Sequence, residues 1–229
     1  MIKTAHMLKR LESLSGYTDD PTFVSLFQEI RAELVDDIRA TAAKTAGYAK
    51  AFSAAKKILK PVKTLNVSKK YLSAHLVGGV QYFCNGVMLV GLNDGNHLPF
   101  DHYKPEPGEP IVDFGEVLFN AAANADSIEF DIVDVLTQIK EWNAKGVKKL
   151  VYCFDKGNFP VVVTDYLQYA AEALGGDVQC FVSRYNKPVY MTSKTGRAAV
   201  FPYCYPKKGP SMLERGVHSL AEYDRNGRE

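Results

Sequence analysis

An α+β fold is expected for this chain of 229 residues, with N-terminal helices followed by a domain of β-α-β-β-β units that form an antiparallel sheet. Apolar residues recur every three or four positions through the N-terminal quarter, which is the period of an amphipathic helix. After Pro61, β-branched and aromatic residues increase and turn signals arrive at short intervals. These patterns predict a helical region 1–62, an α+β domain 63–205 and a C-terminal tail 206–229.

The N-terminal region divides into helices at residues that start or stop them. Asp20 followed by Pro21 predicts a helix start, because an Asp side chain caps free amides and Pro suits the first helical position. Gly47 predicts a break within the basic, alanine-rich stretch 40–60, and Pro61 ends it. The apolar positions that carry the helical period are Leu8, Leu11, Leu14, Phe23, Leu26, Ile30, Leu34 and Ile38.

A β-hairpin is expected around Asn85-Gly86, a dipeptide typical of two-residue hairpin turns. Residues 81–84 and 87–92 supply its two strands. Upstream of the hairpin we expect a strand at 65–67 and a short helix at 69–77. Downstream, the proline-rich stretch 101–115 predicts a surface loop.

The second half of the chain predicts a longer run of elements. A strand at 127–130 precedes a helix at 131–145 that ends at Gly146, and a strand at 147–154 follows. A β-α-β-β-β unit then has strands at 159–163, 178–184, 189–193 and 198–203, with Thr164 as the cap of its helix and Gly175-Gly176 as the end. The same order of motifs, a strand, a helix with a Tyr-Leu pair, a Gly-Gly pair and a hairpin, also begins at residue 64. The two copies are explained either by an internal duplication or by convergence of short β-α-β units.

Composition places the chain among ordinary globular proteins, with 46% hydrophobic and 24% charged residues. These values argue against wholesale disorder, a collagen-like chain and a disulfide scaffold. No stretch reaches the roughly 18 apolar residues of a membrane span and no signal peptide is visible, so we expect a cytoplasmic location without a membrane partner. The four cysteines lie far apart without a Cys-x-x-Cys pair, which favours reduced thiols over a zinc site.

Charge is distributed in blocks of opposite sign along the chain. Residues 38–93 contain nine Lys and Arg and no Asp or Glu. Residues 94–177 contain 15 acidic and 6 basic residues, and residues 178–229 contain 9 basic and 4 acidic ones. Such asymmetry in a chain of net charge +2 indicates one face suited to a polyanion and another that avoids it.

Residues 159–205 resemble the last domain of the bacterial β clamp, a member of the sliding DNA clamps. The likeness rests on the order and spacing of Tyr166-Leu167, the alanine-rich stretch 170–174, Gly176-Asp177, Pro188-Val189 and Val200-Phe201-Pro202. The N-terminal helices resemble no part of a clamp, and bacterial clamps are far longer. The resemblance implies a shortened, clamp-like protein that forms homo-oligomers, and a phage source is compatible with it.

The resemblance implies a replication accessory protein that binds duplex DNA without bond chemistry, so no catalytic residue, metal or cofactor is expected. Lysines bind the phosphate backbone by charge alone, independently of base sequence. The acid-free block supplies the first candidates, Lys56, Lys57, Lys60, Lys63, Lys69 and Lys70, and the helix at 131–145 and its surroundings supply Lys140, Lys145, Lys148 and Lys149. Val200 and Pro202 match positions that in clamps border a groove for replication proteins, with core packing as the alternative.

Two other functions stay open from the sequence. The chain could be a protein-interaction or structural assembly module with a clamp-like fold and no role on DNA. A hydrolase is the third hypothesis, because His97 and His102 lie near Asp94 and Asp101 in one loop, where they could bind a metal or transfer protons. Their spacing matches no known signature, so an exposed turn with incidental histidines is the interpretation we favour. Phosphate-binding loops, esterase elbows and zinc-protease motifs are absent from the sequence.

Overall fold

The structure, a computed structural model, describes residues 2–16, 19–62, 67–109, 114–115, 127–145, 151–153, 160–183 and 187–202. It contains helices and an antiparallel sheet of seven strands, which confirms the α+β class. Within these ranges, no helix is both long and apolar enough to span a bilayer.

Three helices open the chain: α1 (Ile2–Glu12), α2 (Pro21–Thr45) and α3 (Ala49–Ile58). The predicted start of α2 is confirmed, because Asp20 Oδ1 accepts a hydrogen bond of 2.8 Å from the amide of Thr22 and Pro21 is the first helical residue. The predicted break at Gly47 is also confirmed. Gly47 has a φ of +84°, a left-handed conformation that few other residues adopt, and it separates α2 from α3.

The seven-stranded sheet begins with β1 (His75–Val77), β2 (Val80–Cys84), β3 (Met88–Leu92) and β4 (Ile128–Asp131). Helix α4 (Ile132–Ala144) follows β4, and a separate pair of strands, β5 (Val151–Cys153) and β6 (Val161–Val163), precedes helix α5 (Thr164–Leu174). The last three strands of the seven-stranded sheet are β7 (Gln179–Val182), β8 (Val189–Thr192) and β9 (Gly196–Val200). The strand order is β1-β2-β3-β9-β8-β7-β4, and every neighbouring pair is antiparallel.

The predicted hairpin at Asn85-Gly86 is confirmed and joins β2 to β3. Gly86 has a φ of +87°, and the side-chain oxygen of Asn85 accepts from the amides of Val87 and Met88 at 3.1 and 3.0 Å. Asn85 is only 2% exposed, and its side chain stabilises the buried turn because it accepts hydrogen bonds from two backbone amides.

Two similar halves meet in the middle of the sheet. One half is α3 followed by β1, β2 and β3, and the other is α5 followed by β7, β8 and β9. The halves join where β3 pairs with β9, with Met88 opposite Val200 and Leu92 opposite Gly196. This repeat differs from the one read in the sequence, because the Tyr71-Leu72 segment forms only one turn of 3-10 helix, Lys69–Leu72.

The core lies between one face of the sheet and the layer formed by α3 and α5. Ala54, Ala55 and Ile58 of α3 are fully buried there, as are Leu167 and Ala170 of α5. The sheet contributes Phe83, Met88, Val90, Cys180, Val182, Val189, Met191, Ala198 and Val200 to the same cluster. In α2, by contrast, the only buried residue is Ala43. Helix α3 is therefore part of the core layer, whereas α2 is mostly exposed.

Three sequence predictions need correction. The expected helix at 69–77 is wrong, because the 3-10 turn ends at Leu72 and strand β1 occupies 75–77. Thr164 does not cap α5 but is its first residue, with Val163 at the cap position. Strand β9 begins at Gly196, earlier than the predicted residue 198. The predictions at 65–66, Gly146, 147–150, 154 and the tail 206–229 lie outside the described residues.

Candidate nucleic-acid interface

Helix α3 and the residues just after it expose a row of lysines on the side opposite the core. Lys50 and Lys57 are exposed seven residues apart on one face of α3 together with Ser53, and Lys60 is exposed just after the helix ends at Ile58. Among the described residues, no carboxylate lies within salt-bridge distance of these three amines. We call Lys50, Lys57 and Lys60 the α3 lysine row.

Sequence reasoning selected Lys57 and Lys60 but missed Lys50 as a site residue. The missed signal is its spacing of seven from Lys57, which is two helical turns. Burial of Ala54, Ala55 and Ile58 sets the rotation of α3 and so decides which lysines face outward.

Helix α5 lies beside the α3 lysine row and carries acidic and aromatic side chains in place of lysines. Lys57 Nζ lies 4.8 Å from the centre of the Tyr169 ring, a cation–π contact between the two helices. Burial, and next the charge of Asp165, raises the pKa of the Tyr169 phenol. The helix also carries Glu172, and its sequence contains no Lys or Arg. The positive surface is therefore confined to the α3 side of the helix pair.

Two of the predicted DNA-contacting lysines are engaged by carboxylates instead. Lys56 Nζ lies 2.6 Å from Asp36 Oδ2 of α2, with both side chains more than two-fifths exposed. Such an exposed pair contributes at most about 1 kcal/mol, so Lys56 can exchange partners. Lys70 Nζ donates to Glu109 Oε1 at 2.7 Å in a less exposed setting, and this hydrogen bond raises the pKa of Lys70.

The remaining lysine candidates are dispersed. Lys140 and Lys145 are exposed on and just after α4 and do not belong to the α3 lysine row. The backbone of Lys69 lies in the 3-10 turn, and its side chain is outside the described structure. Lys63, Lys148 and Lys149 lie outside the described residues altogether.

The two residues assigned to a partner groove have different environments. Val200 is fully buried in the core, opposite Met88 on one side and Val189 on the other. Its side chain is therefore inaccessible to a partner, and core packing, the alternative stated above, accounts for this residue. Pro202 is half-buried just after β9.

The loop considered for a hydrolase uses its polar groups to hold the fold. The His97 ring nitrogen Nε2 lies 3.0 Å from the carbonyl of Gly79, and Asp101 forms an ion pair of 2.6 Å with Arg39 that lowers its pKa. Buried Gln81 donates to the carbonyl of Leu98 and lies 2.9 Å from His102 Nε2. Burial, and next the charge of His97, lowers the pKa of His102. The described residues contain no group of three or more His, Cys, Asp or Glu side chains that could hold a metal ion.

An open cleft of about 830 Å³ lies next to the α3 lysine row. Its walls are the start of α3, the start of α4 and the end of α5 with Gly175-Gly176. Lys50 lines it, as do the apolar side chains of Ile132, Val133 and Leu136. Val133 is 64% exposed and contributes to the apolar surface of this wall.

Comparison of the chain with known protein families, with curated proteins and with solved structures finds no match.

Proposed function

We propose that this protein is a non-catalytic, clamp-like DNA-associated protein of the replication-accessory type, which contacts the phosphate backbone in the cytoplasm without reading base sequence. The α3 lysine row carries the proposal, because its three amines face away from the core and lack a described carboxylate partner. The resemblance of residues 159–205 to sliding clamps supports the same function.

The row is long enough to reach several phosphates of a duplex. Lys50 and Lys57 are seven residues apart in α3, which corresponds to about 10 Å along the helix axis, and Lys60 follows the end of the helix. Duplex DNA presents about six phosphate charges over about 10 Å, since one charge occurs per about 1.7 Å. Asp165 and Glu172 on α5 repel phosphate, so the backbone would follow α3 and would not cross both helices.

Fluorescence anisotropy with a duplex of arbitrary sequence tests this proposal. The wild-type chain should bind with an affinity that falls steeply as salt is added, because bound lysines release counterions. The triple variant Lys50→Gln, Lys57→Gln, Lys60→Gln should bind more weakly and lower the slope of log K against log salt by about 2 to 3, or about 0.9 per lost contact.

A matched control variant distinguishes a specific effect of the α3 lysine row from a general effect of positive charge. Lys104, Lys187 and Lys194 are exposed and lie outside α3, so changing them to Gln removes the same charge elsewhere. The control should keep most of the wild-type slope. No binding at low salt, or an equal loss in both triple variants, would contradict the proposed role of α3.

A second candidate function is a protein-interaction module with no role on DNA. The cleft beside α3 favours it, since its exposed Val133 and neighbouring Leu136 offer an apolar surface with polar residues at the border. Absence of salt-dependent DNA binding, together with a partner that binds wild type and fails to bind Val133→Glu, would select this function over the first.

A further inference from the structure

The helical hairpin formed by α1 and α2 has little contact with the protein core. The two helices lie against each other, and an ion pair between them places Arg31 Nε 3.4 Å from Glu12 Oε1. Leu8, Leu11 and Phe27 are half-buried, whereas Ala43 near the end of α2 is the only fully buried residue of that helix. A two-helix pair of this kind buries one face of each helix and leaves the other without a partner.

The α1–α2 hairpin carries most of the large apolar residues that the described structure exposes. They are Met7, Leu14, Phe23, Val24, Leu26 and Ile30, which are 37–56% exposed. Phe23, Leu26 and Ile30 follow one another at spacings of three and four, so they form a stripe along α2. We call these six residues the hairpin apolar face.

The size of this face fits one side of a stable protein interface. With about 180 Å² for each large side chain, the six exposed fractions amount to about 500 Å². Because interfaces are about 60% apolar, such a patch corresponds to about 800 Å² in total, the usual contribution of one partner. The largest apolar patch on a typical monomer has a similar size, about 300–600 Å², and is often a binding site.

The charges beside the face select a second copy of the same chain. Helix α1 exposes Lys3, Lys9 and Arg10, while Glu29 and Glu33 of α2 lie beside the apolar stripe. A two-fold arrangement in which α1 of one copy meets α2 of the other brings these opposite charges together. The same glutamates disfavour an anionic lipid surface, which would attract only α1.

We propose that a second copy of this chain docks on the hairpin apolar face, so that two α1–α2 hairpins form an intermolecular four-helix bundle. This dimer holds two α3 lysine rows in one particle, but it does not depend on DNA binding. The apolar side chains that each hairpin exposes are buried against those of the other.

Analytical ultracentrifugation of the full chain over a wide range of protein concentration tests the dimer. The wild type should show a reversible monomer–dimer equilibrium. Leu26→Glu combined with Ile30→Glu should raise the dissociation constant by about 100-fold or more, because each buried charge weakens association at least about tenfold. Leu76→Glu is the matched control, since it places a glutamate at an exposed apolar site on β1, outside both the hairpin and the cleft, and should leave the equilibrium unchanged.

Folding of each variant is checked by circular dichroism, and Leu26→Ser with Ile30→Ser serves if the glutamates unfold α2. A wild-type chain that stays monomeric at every concentration overturns the proposal and assigns the face to another occupant. A dimer that resists both hairpin variants, or that Leu76→Glu dissociates equally, also overturns it.

Discussion

At the scale of single residues, Glu109 lies at the centre of a hydrogen-bond network that lowers its pKa. Its carboxylate accepts from Lys70 at 2.7 Å, from the Tyr103 hydroxyl at 2.6 Å and from the amide of Glu106 at 3.2 Å. These hydrogen bonds, that of Lys70 first, lower the pKa of Glu109 to about 2. His75 adds a link, because its Nε2 lies 2.8 Å from the Lys70 carbonyl and its ring lies beside Tyr103. This network fastens the loop before residue 110 to the 3-10 turn.

The stability of the fold should therefore depend on pH through Glu109. Its folded pKa lies below the ordinary value of 4.5, so the ionised form is the stabilised one. Its contribution is complete above about 4.5 and is lost as the pH falls toward about 2. We expect the melting temperature of wild type to exceed that of Glu109→Gln above that window, with the difference shrinking on acidification.

Thermal unfolding followed at a series of pH values measures this difference. Glu129→Gln, which changes an exposed carboxylate on β4, is the control and should parallel the wild type. A carboxyl titration of Glu109 by NMR with a midpoint near the ordinary value would refute the assignment.

At the scale of secondary-structure elements, the contact between β3 and β9 joins the two halves of the sheet. Gly196 pairs with Leu92 there, and Gly91 pairs with Arg197. A Cβ on Gly196 would overlap the carbonyl oxygen of Gly91, so only glycine fits without moving one strand. The close approach of the backbones thus depends on the absence of a side chain at one position.

Gly196→Ala should lower the free energy of unfolding by about 1–3 kcal/mol, the usual effect of forcing extra atoms into a packed interior. Chemical denaturation of the two proteins measures the difference. Lys194→Ala, in the exposed turn just before β9, should change stability by no more than about 0.5 kcal/mol. Equal stability of Gly196→Ala and wild type would show that β3 and β9 separate easily.

At the scale of the whole molecule, the core and the hairpin differ in how they are stabilised. The α3–α5 layer and the sheet share one apolar cluster that includes Phe83, Leu167 and Met191. Leu14, Phe23, Leu26 and Ile30 have the same helical period as core residues, yet they are 38–53% exposed. Helix stability in proteins comes mainly from tertiary packing, so the hairpin of a monomer has the weaker support.

Hydrogen exchange should reveal this difference in the full chain at a concentration below that of self-association. Amides in the middle of α5 and in β3 should exchange only by global unfolding, whereas those in the first half of α2 should exchange through local opening and therefore faster. A higher concentration should slow exchange in α2 if the hairpins associate. Equal protection of α2 and α5 in the monomer would contradict the division.

The sequence alone determined the features that depend on neighbouring residues. The start of α2 at Asp20-Pro21, the break at Gly47, the Asn85-Gly86 hairpin, the end of α5 at Gly175-Gly176 and the α+β class are all present in the structure. Caps and turns act over a few residues, so local chemistry specifies them. The resemblance to sliding clamps and the DNA role stay predictions.

Only the tertiary structure decided which of these residues are free to act. Lys70 and Glu109 are 39 residues apart in sequence, and Lys56 and Asp36 are 20 apart, so no local pattern could show that these lysines have carboxylate partners. The helical period predicts an apolar face for both α2 and α3, but it does not predict which of the two faces packs against the sheet. Long-range packing made α3 part of the core and left the face of α2 exposed, because burial depends on contacts between segments distant in the chain.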